Sequence, residues 1–124
     1  MASGKGFKVR RVYDPPEKDD GVRVLVDRLW PRGVSKDAAG IDEWPKSVTP
    51  SADLRKWFHA HEDRYGEFTD RYRAELSAPD LADDLAHLRD LAASRPVTLL
   101  TAVKHPDHSH VPVLLDSLRD GDAS

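Results

Sequence analysis

Cysteine is absent from this 124-residue sequence. The chain therefore contains no disulfide, thiolate nucleophile, thiolate zinc site or iron–sulfur cluster. Long apolar runs are also missing. No segment approaches the length of a membrane span, which needs about eighteen apolar residues, and the amino terminus lacks the apolar core of a signal peptide. We expect a cytoplasmic protein without a membrane partner.

Neither sign of charge is in strong excess. Nineteen lysines and arginines stand against 22 aspartates and glutamates, which gives a formal net charge of -3. A chain with this balance has no overall electrostatic attraction to nucleic acid, so any anion must be bound locally. The basic and aromatic segment 55–73 does not change this expectation, because its rings lie on the apolar stripes of predicted helices. These rings are Trp57, Phe58, Phe68 and Tyr72.

Glycine-rich nucleotide-binding motifs are missing as well. The sequence contains neither Gly-x-x-x-x-Gly-Lys-Ser/Thr nor Gly-x-Gly-x-x-Gly, so P-loop hydrolysis and dinucleotide-dependent hydride transfer lack their fingerprints. The hydroxyls of Ser35, Thr101 and Ser109 show no recognisable elbow or triad spacing, which disfavours covalent catalysis. We predict no cofactor.

Three apolar segments predict strands, at 7–12, 22–26 and 97–103. The last two are nearly continuous apolar runs, which are typical of buried and often parallel strands. The breaker-rich connector 14–21 is too short for an ordinary helical crossover between parallel neighbours, so the direction of the first strand stays open.

Helical periodicity fills most of the remaining chain. Ser51 is an N-cap candidate for a helix with Leu54, Trp57, Phe58 and His61 on one face. Three further stripes are Tyr65, Phe68, Tyr72 and Leu76; Leu81, Leu85, Leu88 and Ala92, starting near Pro79; and Val111, Leu114, Leu115 and Leu118, with Pro112 in the first turn. We predict a small three-layer, Rossmann-like α/β domain with a short, mostly parallel sheet flanked by helices. It spans 7–120, with flexible termini at 1–6 and 121–124.

The segment 22–33 carries the strongest sign of a site. An apolar strand runs into a turn that contains Asp27, Arg28, Arg32 and Gly33. Because ligands gather at the carboxyl ends of strands in α/β sheets, two arginines beside a glycine indicate an anion site. Ser35 would add the N-terminus of a short helix to it. The alternative is a structural turn in which Arg28 pairs with Asp27 or Glu43.

A second loop follows the last strand and would face this turn. If the strands at 22–26 and 97–103 are parallel neighbours, both carboxyl ends emerge at one edge of the sheet. Lys104 would then add positive charge, and Ser109 would contact the ligand. Asp27 and His110 are the candidates for proton transfer. Trp30 would shape the pocket, or it would lock two loops against the sheet together with Trp44.

Five ordered motifs resemble the YeaO-like family, a bacterial family of unknown function. They are RVYD at 11–14, VLVDRLWPRG at 24–33, DEW at 42–44, TPS at 49–51 and LRKWFH at 54–59. The resemblance covers about residues 7–120, and it implies a single small, cytoplasmic α/β domain.

The same resemblance implies a polar cleft that includes Asp27, Arg28, Arg32 and the loop after the last strand. The likeness extends to Lys104 and His110. This chain departs from the family in having Ser109 where many members have an asparagine-like residue, and in the extra histidines His105 and His108.

Those extra histidines are weak candidates for metal ligands. They offer imidazole ligands beside Asp107, but the cluster lacks defined metal spacing, so we predict no metal and a solvated loop. His59 and His61 are weaker still, because two residues on a helix are about 200° apart and do not point at one ion.

Two functions from different classes remain. The leading hypothesis is a domain that binds a small phosphate- or carboxylate-bearing molecule, with possible hydrolase or transferase activity. The alternative is a non-catalytic interaction or regulatory module. The first predicts a concave pocket where Arg28, Arg32 and Lys104 converge with unpaired donors. The second predicts the same cations saturated by carboxylates, and an exposed apolar patch elsewhere.

Overall fold

The computed structural model describes residues 6–123 and contains three parallel strands. They are β1 (Gly6–Arg11), β2 (Val22–Leu25) and β3 (Pro96–Thr101), in the order β1-β3-β2. β3 pairs with both outer strands, and Leu99 faces Val9 on one side and Val24 on the other. The predicted strands and their parallel pairing are therefore confirmed. The short connector after β1 is explained as well, because β1 and β2 are not neighbours and β3 lies between them.

The described residues form five α-helices, of which the four longer ones follow the predicted stripes and the first is the short helix expected after Ser35. They are α1 (Lys36–Ala39), α2 (Ala52–Ala60), α3 (Tyr65–Leu76), α4 (Ala82–Ser94) and α5 (His110–Ala123). The predicted cap of α2 is confirmed, since Ser51 Oγ accepts a hydrogen bond of 3.1 Å from the Leu54 N–H. α4 begins later than predicted, because Pro79–Leu81 forms a 3₁₀ turn before it.

The sheet separates two apolar clusters of unequal size. The larger lies between the sheet and the four longer helices, and its fully buried members include Val97, Leu99, Leu88, Leu114 and Tyr72. The smaller lies on the other face and consists of Val12, Ala39 and Leu100, with partly buried neighbours around them. The small α/β fold is thus confirmed, and its second face is covered by a thin layer around α1.

A buried ion-pair network precedes β2, where the sequence indicates only a connector. Asp20 is 1% exposed and lies against Arg23 and Arg10. Its backbone carbonyl accepts a hydrogen bond of 2.7 Å from Thr98 Oγ1 in β3. Burial alone would raise the pKa of Asp20, but hydrogen bonds from the Glu17 N–H and from both guanidiniums lower it to about 2. The network fixes the start of β2 against the sheet.

The elements reach further toward both ends than the periodicity indicates. β1 already begins at Gly6, and the backbone of α5 continues to Ala123. The rest of the predicted flexible termini, 1–5 and 124, lies outside the described residues. Among the helices that the structure describes, none combines the length and the apolar character needed to cross a bilayer.

Candidate functional site

The carboxyl ends of β2 and β3 open on a cleft of about 870 Å³. The turn 27–32, the loop 102–110 and one side of α2 form its walls. Of the predicted site residues, the structure brings together Asp27, Arg28, Trp30, Arg32, Lys104, His105, His108, Ser109 and His110.

Parallel pairing is what brings the two loops together. The ladder between β2 and β3 continues past the strand end, where the Val26 N–H donates a hydrogen bond of 3.0 Å to the Leu100 carbonyl. Both segments therefore leave the sheet side by side at the same edge, which is the position where ligands bind in open α/β sheets.

Ser35 does not line this cleft. Its carbonyl accepts a hydrogen bond from the Ala39 N–H at 3.1 Å, which begins α1. Ala39 packs with Val12 and Leu100 on the second face of the sheet. The chain has therefore turned away from the cleft by this point, and Ser35 is not brought together with the other predicted ligand contacts.

The carboxylate of Asp27 is held by groups of the protein. Oδ1 accepts a hydrogen bond of 2.7 Å from Thr101 Oγ1, and Oδ2 accepts one of 2.8 Å from the Ala102 N–H. His110 Nε2 lies 3.2 Å from Oδ1 and 2.8 Å from the Val26 carbonyl oxygen. Because both neighbours of Nε2 are acceptors, Nε2 carries a proton and Nδ1 is free of one in the neutral ring.

These contacts also set the charge of Asp27. Burial alone would raise the pKa of this carboxyl group, but hydrogen bonds from His110, Ala102 and Thr101 lower it below its usual value. Asp27 is therefore an ionised group that accepts three hydrogen bonds, one of them from His110, which it orients. His110 itself lines the cleft, and no described residue forms a hydrogen bond with its Nδ1.

Three cations of the cleft are without protein partners. Within residues 6–123, Arg28, Arg32 and Lys104 form no hydrogen bond or ion pair. The alternative pairing of Arg28 with Asp27 or Glu43 is not observed in this part of the chain. Glu43 instead contacts His87 Nε2 at 2.9 Å, and Asp27 is occupied as described above.

Two tryptophans fix the turn 27–32. Trp44 Nε1 donates a hydrogen bond of 2.7 Å to the Asp27 carbonyl, and Trp30 Nε1 donates one of 2.7 Å to the Val34 carbonyl. The two rings meet edge to face with their centroids 5.2 Å apart. The Trp30 ring also lines the cleft, so its place in the structure is compatible with both roles considered from the sequence.

The loop 105–110 is anchored to α3 and to its own helix. The Tyr65 hydroxyl donates a hydrogen bond of 2.6 Å to the Ser109 carbonyl, and the Tyr65 ring stacks on His108 at 4.2 Å. Ser109 Oγ donates to the Pro106 carbonyl and accepts from the Val111 N–H, which caps α5. The Ser109 hydroxyl is thus hydrogen-bonded within the loop and to the start of α5, although the residue lines the cleft.

The histidines do not form a metal cluster. Among the described residues, no group of three or more His, Cys, Asp or Glu side chains is placed to hold a metal ion. His59 lines the cleft, whereas His61 stacks on Trp57 at 4.7 Å. The expected separation of these two imidazoles is therefore confirmed.

The wall contributed by α2 is absent from the sequence-based site. Arg55, Phe58, His59 and Glu62 line the cleft, with Asp63 beside them. A spacing of three and four residues puts Arg55, Phe58 and His59 on one side of α2, and Glu62 and Asp63 lie in the turn that follows the helix. The Phe58 ring contacts both the cleft and the core, because it also stacks on the buried Phe68 at 4.2 Å. The helical spacing of these residues is the feature of the sequence that could have indicated this wall.

One protein-family model and several known proteins are similar to this chain over most of its length. The protein-family model described as "Inactive DUF488-N3 subclade" matches residues 6–123. The chain is 46% identical to the "Uncharacterized protein YeaO" of Escherichia coli over 113 residues, which covers 91% of this chain and 96% of that protein. It is also 46% identical to the "Uncharacterized protein Rv3073c" of Mycobacterium tuberculosis over 111 residues, or 90% of this chain and 92% of that protein. No solved structure matched the chain.

Proposed function

The chain belongs to the YeaO-like family, within the group described as the inactive DUF488-N3 subclade, and we propose that it binds a small phosphate- or carboxylate-bearing molecule in the cleft. One observation carries this proposal. Arg28, Arg32 and Lys104 line one cleft without a protein partner among the described residues. Guanidinium groups match phosphate and carboxylate oxygens in bidentate geometry, so this cluster favours an anion.

Binding without turnover fits the site better than the hydrolase or transferase activity considered from the sequence. The description of the matching family model contains the word inactive. Asp27 already accepts hydrogen bonds from Thr101, Ala102 and His110, which ties its carboxylate to the protein and disfavours it as the group that activates a water molecule. The Thr101 side chain is fully buried and does not line the cleft, so its hydroxyl is not accessible as a nucleophile.

An exposed position makes Arg32 the best residue for a test. The experiment is a thermal-shift and calorimetric screen with inorganic phosphate, sulfate, small carboxylates and sugar phosphates. A ligand that binds only the folded state at one hundred times its Kd stabilises it by about 2.7 kcal/mol. We expect one anion class to raise Tm in the wild-type protein, and Arg32→Ala to abolish that rise.

The matched control is Arg95→Ala. Arg95 is also exposed, but it follows α4 and does not line the cleft. Both variants remove one positive charge and should keep the stability of the unliganded fold within about 0.5 kcal/mol. Equal anion binding by wild type and Arg32→Ala would refute the proposal. A flat response of the wild type to every anion would also refute it, and would favour the interaction module.

A further inference from the structure

The α2 wall of the cleft changes its charge along its length. Arg55 lies toward the beginning of the helix, whereas Glu62 and Asp63 follow its end. The helix from Arg55 to its end at Ala60 is about 8 Å long, and Glu62 and Asp63 lie in the turn beyond it. Like the three cations described above, these three side chains have no hydrogen-bond or ion-pair partner in the described part of the chain. The cleft therefore has a cationic end and an anionic end.

Contacts elsewhere identify which loop lies at which end. The Trp44 indole binds the Asp27 carbonyl, so the segment leading into α2 is tied to the turn that carries Arg28 and Arg32. At the other end of α2, Phe58 and Tyr65 are in ring contact, and Tyr65 stacks on His108. The turn with two arginines thus lies on the Arg55 side and His108 lies on the Glu62 side. Lys104 follows Ala102, whose N–H binds Asp27 beside the arginine turn.

Apolar groups also line the cleft, and one of them, Phe58, lies between Arg55 and Glu62 along the chain. The apolar wall consists of Phe58, Trp30, Pro31 and Pro50, with the buried Phe68 behind them. Leu29 at this cleft is 57% exposed, one of the two large apolar residues with high exposure among those described. A volume of about 870 Å³ is in the range of sites for drug-sized molecules, so a bare inorganic anion would leave most of the apolar wall uncovered.

We infer that the ligand is a ring-bearing anion with a positively charged or N–H-donating group at its far end. This inference rests on the proposed function. The anionic group lies against Arg28 and Arg32, the planar body covers Phe58 and Trp30, and the far group faces Glu62 and Asp63. A molecule with a second anionic group at the far end is disfavoured, because these two carboxylates would repel it.

A graded series of phosphate monoesters tests each part of this assignment. The probes are methyl phosphate, phenyl phosphate and 4-(aminomethyl)phenyl phosphate, and calorimetry gives Kd for each. We expect the phenyl ring to increase affinity about tenfold over methyl phosphate, because it removes apolar surface from water. The ammonium group should add a further gain of about two- to fivefold, which is the scale of exposed charge pairs.

The double variant Glu62→Gln, Asp63→Asn isolates the far end. Both residues are exposed, so the fold is expected to tolerate the change. The variant should lose the gain from the ammonium group, so that phenyl phosphate and 4-(aminomethyl)phenyl phosphate bind to it with equal affinity. The matched control Asp80→Asn, Asp83→Asn removes two exposed charges outside the cleft and should keep that gain.

The outcomes separate this inference from the function on which it rests. If neither these phosphate compounds nor the anions of the thermal-shift screen bind the wild type, the proposed function and this inference fail together. If the screen finds an anion but none of the three phosphate compounds binds, only this inference is overturned. If methyl and phenyl phosphate bind equally well, the site is a simple anion site and only this inference is overturned. Retention of the ammonium gain in the Glu62→Gln, Asp63→Asn variant would likewise overturn the assignment of the far end.

Discussion

The imidazole of His110 lies against the carboxylate of Asp27, with 3.2 Å between Nε2 and Oδ1. Asp27 follows β2 and His110 begins α5, so this contact joins two elements that are far apart in the sequence. Both side chains are mostly buried, and Thr101 and Ala102 complete the set of donors to the carboxylate. The base of the cleft is therefore built from a satisfied polar network, and such networks hold a single geometry.

Replacing Asp27 by asparagine should destabilise the fold. The new side-chain amide would point its N–H₂ group at neighbours that are themselves donors, so at least one buried hydrogen bond is lost. We expect Asp27→Asn to lower the free energy of unfolding by about 1–3 kcal/mol at pH 7, measured by urea denaturation. Unchanged stability would show that the carboxylate is not a structural group.

Acid pH gives an independent check on Asp27. Its pKa is lowered in the folded protein, from an ordinary value of 3.8. The carboxylate therefore contributes stability above that value, and the contribution is lost as the pH falls through the folded pKa. The difference between wild type and Asp27→Asn should shrink below about pH 4. The exposed Asp90→Asn in α4 is the control, and its difference from wild type should stay near zero at every pH.

Much of the fold follows from periodicity and caps. The apolar runs at β2 and β3, the Ser51 cap and the helical stripes are local signals, and the structure confirms each of them. The order of the strands is different, because it depends on contacts between distant segments. No local pattern in the sequence predicts that the ten residues between β1 and β2 cross over β3. The burial of Asp20 in that connector is missed for the same reason.

The candidate site likewise combines features that local sequence patterns predict with contacts that they do not predict. The Asp27 to Arg32 turn and Lys104 are recognisable, because strand ends followed by cations are a local pattern. The partners of Asp27 are not recognisable, since one is a backbone N–H and another is the hydroxyl of Thr101 in β3. The α2 wall is obscured by Phe58, which belongs to the core stripe and also to the stripe of Arg55 and Glu62 that lines the cleft.

The Asp20 network should dominate acid unfolding. Asp20→Asn leaves the buried guanidinium of Arg23 without its charged partner, and breaking such pairs costs about 3–5 kcal/mol. The pKa of Asp20 is lowered from 3.8 to about 2, so its stabilisation is present above pH 4 and disappears between pH 4 and pH 2. Urea denaturation of wild type and variant across this range should show the two curves converging toward pH 2.

Asp19→Asn is the matched control for that experiment. Asp19 is the preceding residue in the chain, and its side chain is 80% exposed beside Lys8. Exposed ion pairs contribute little, so this variant should unfold at nearly the same urea concentration as the wild type. A loss as large as that of Asp20→Asn would mean that overall charge, rather than burial, controls the acid transition.

Gly21 should not tolerate any side chain. It has a φ of +66°, and a Cβ atom there would lie 2.0 Å from the carbonyl oxygen of Pro96. That neighbour is backbone at the start of the central strand, so it cannot rotate away. We expect Gly21→Ala to lose more than about 3 kcal/mol or to fail to fold.

Gly33→Ala separates the steric part of that effect from the conformational part. Gly33 has a similar φ of +78°, but no atom lies within 4 Å of the position of its Cβ. Only the cost of a left-handed residue applies, which is about 1–2 kcal/mol. Equal losses for Gly21→Ala and Gly33→Ala in urea denaturation would contradict the close approach of Gly21 to β3.

The Tyr65 hydroxyl should control the order of the histidine loop. It donates the hydrogen bond of 2.6 Å to the Ser109 carbonyl, while the ring stacks on His108. Tyr65→Phe keeps the stacking and removes only this bond, so a stability loss of about 1 kcal/mol is expected. Because the bond ties the loop 105–110 to α3, amide hydrogen exchange in that loop should become faster than in the wild type.

The set of amides whose hydrogen exchange becomes faster shows whether the Tyr65 hydroxyl orders only the histidine loop. In Tyr65→Phe, faster exchange should be confined to 105–110, and the amides of β3 should exchange as in the wild type apart from the small global loss. Tyr72→Phe is the matched control, since its hydroxyl binds the Val48 carbonyl before α2. It should leave exchange in the histidine loop unchanged after correction for global stability. If both variants affect the loop equally, the Tyr65 hydroxyl is not a specific anchor, and the order of the cleft wall depends on overall packing instead.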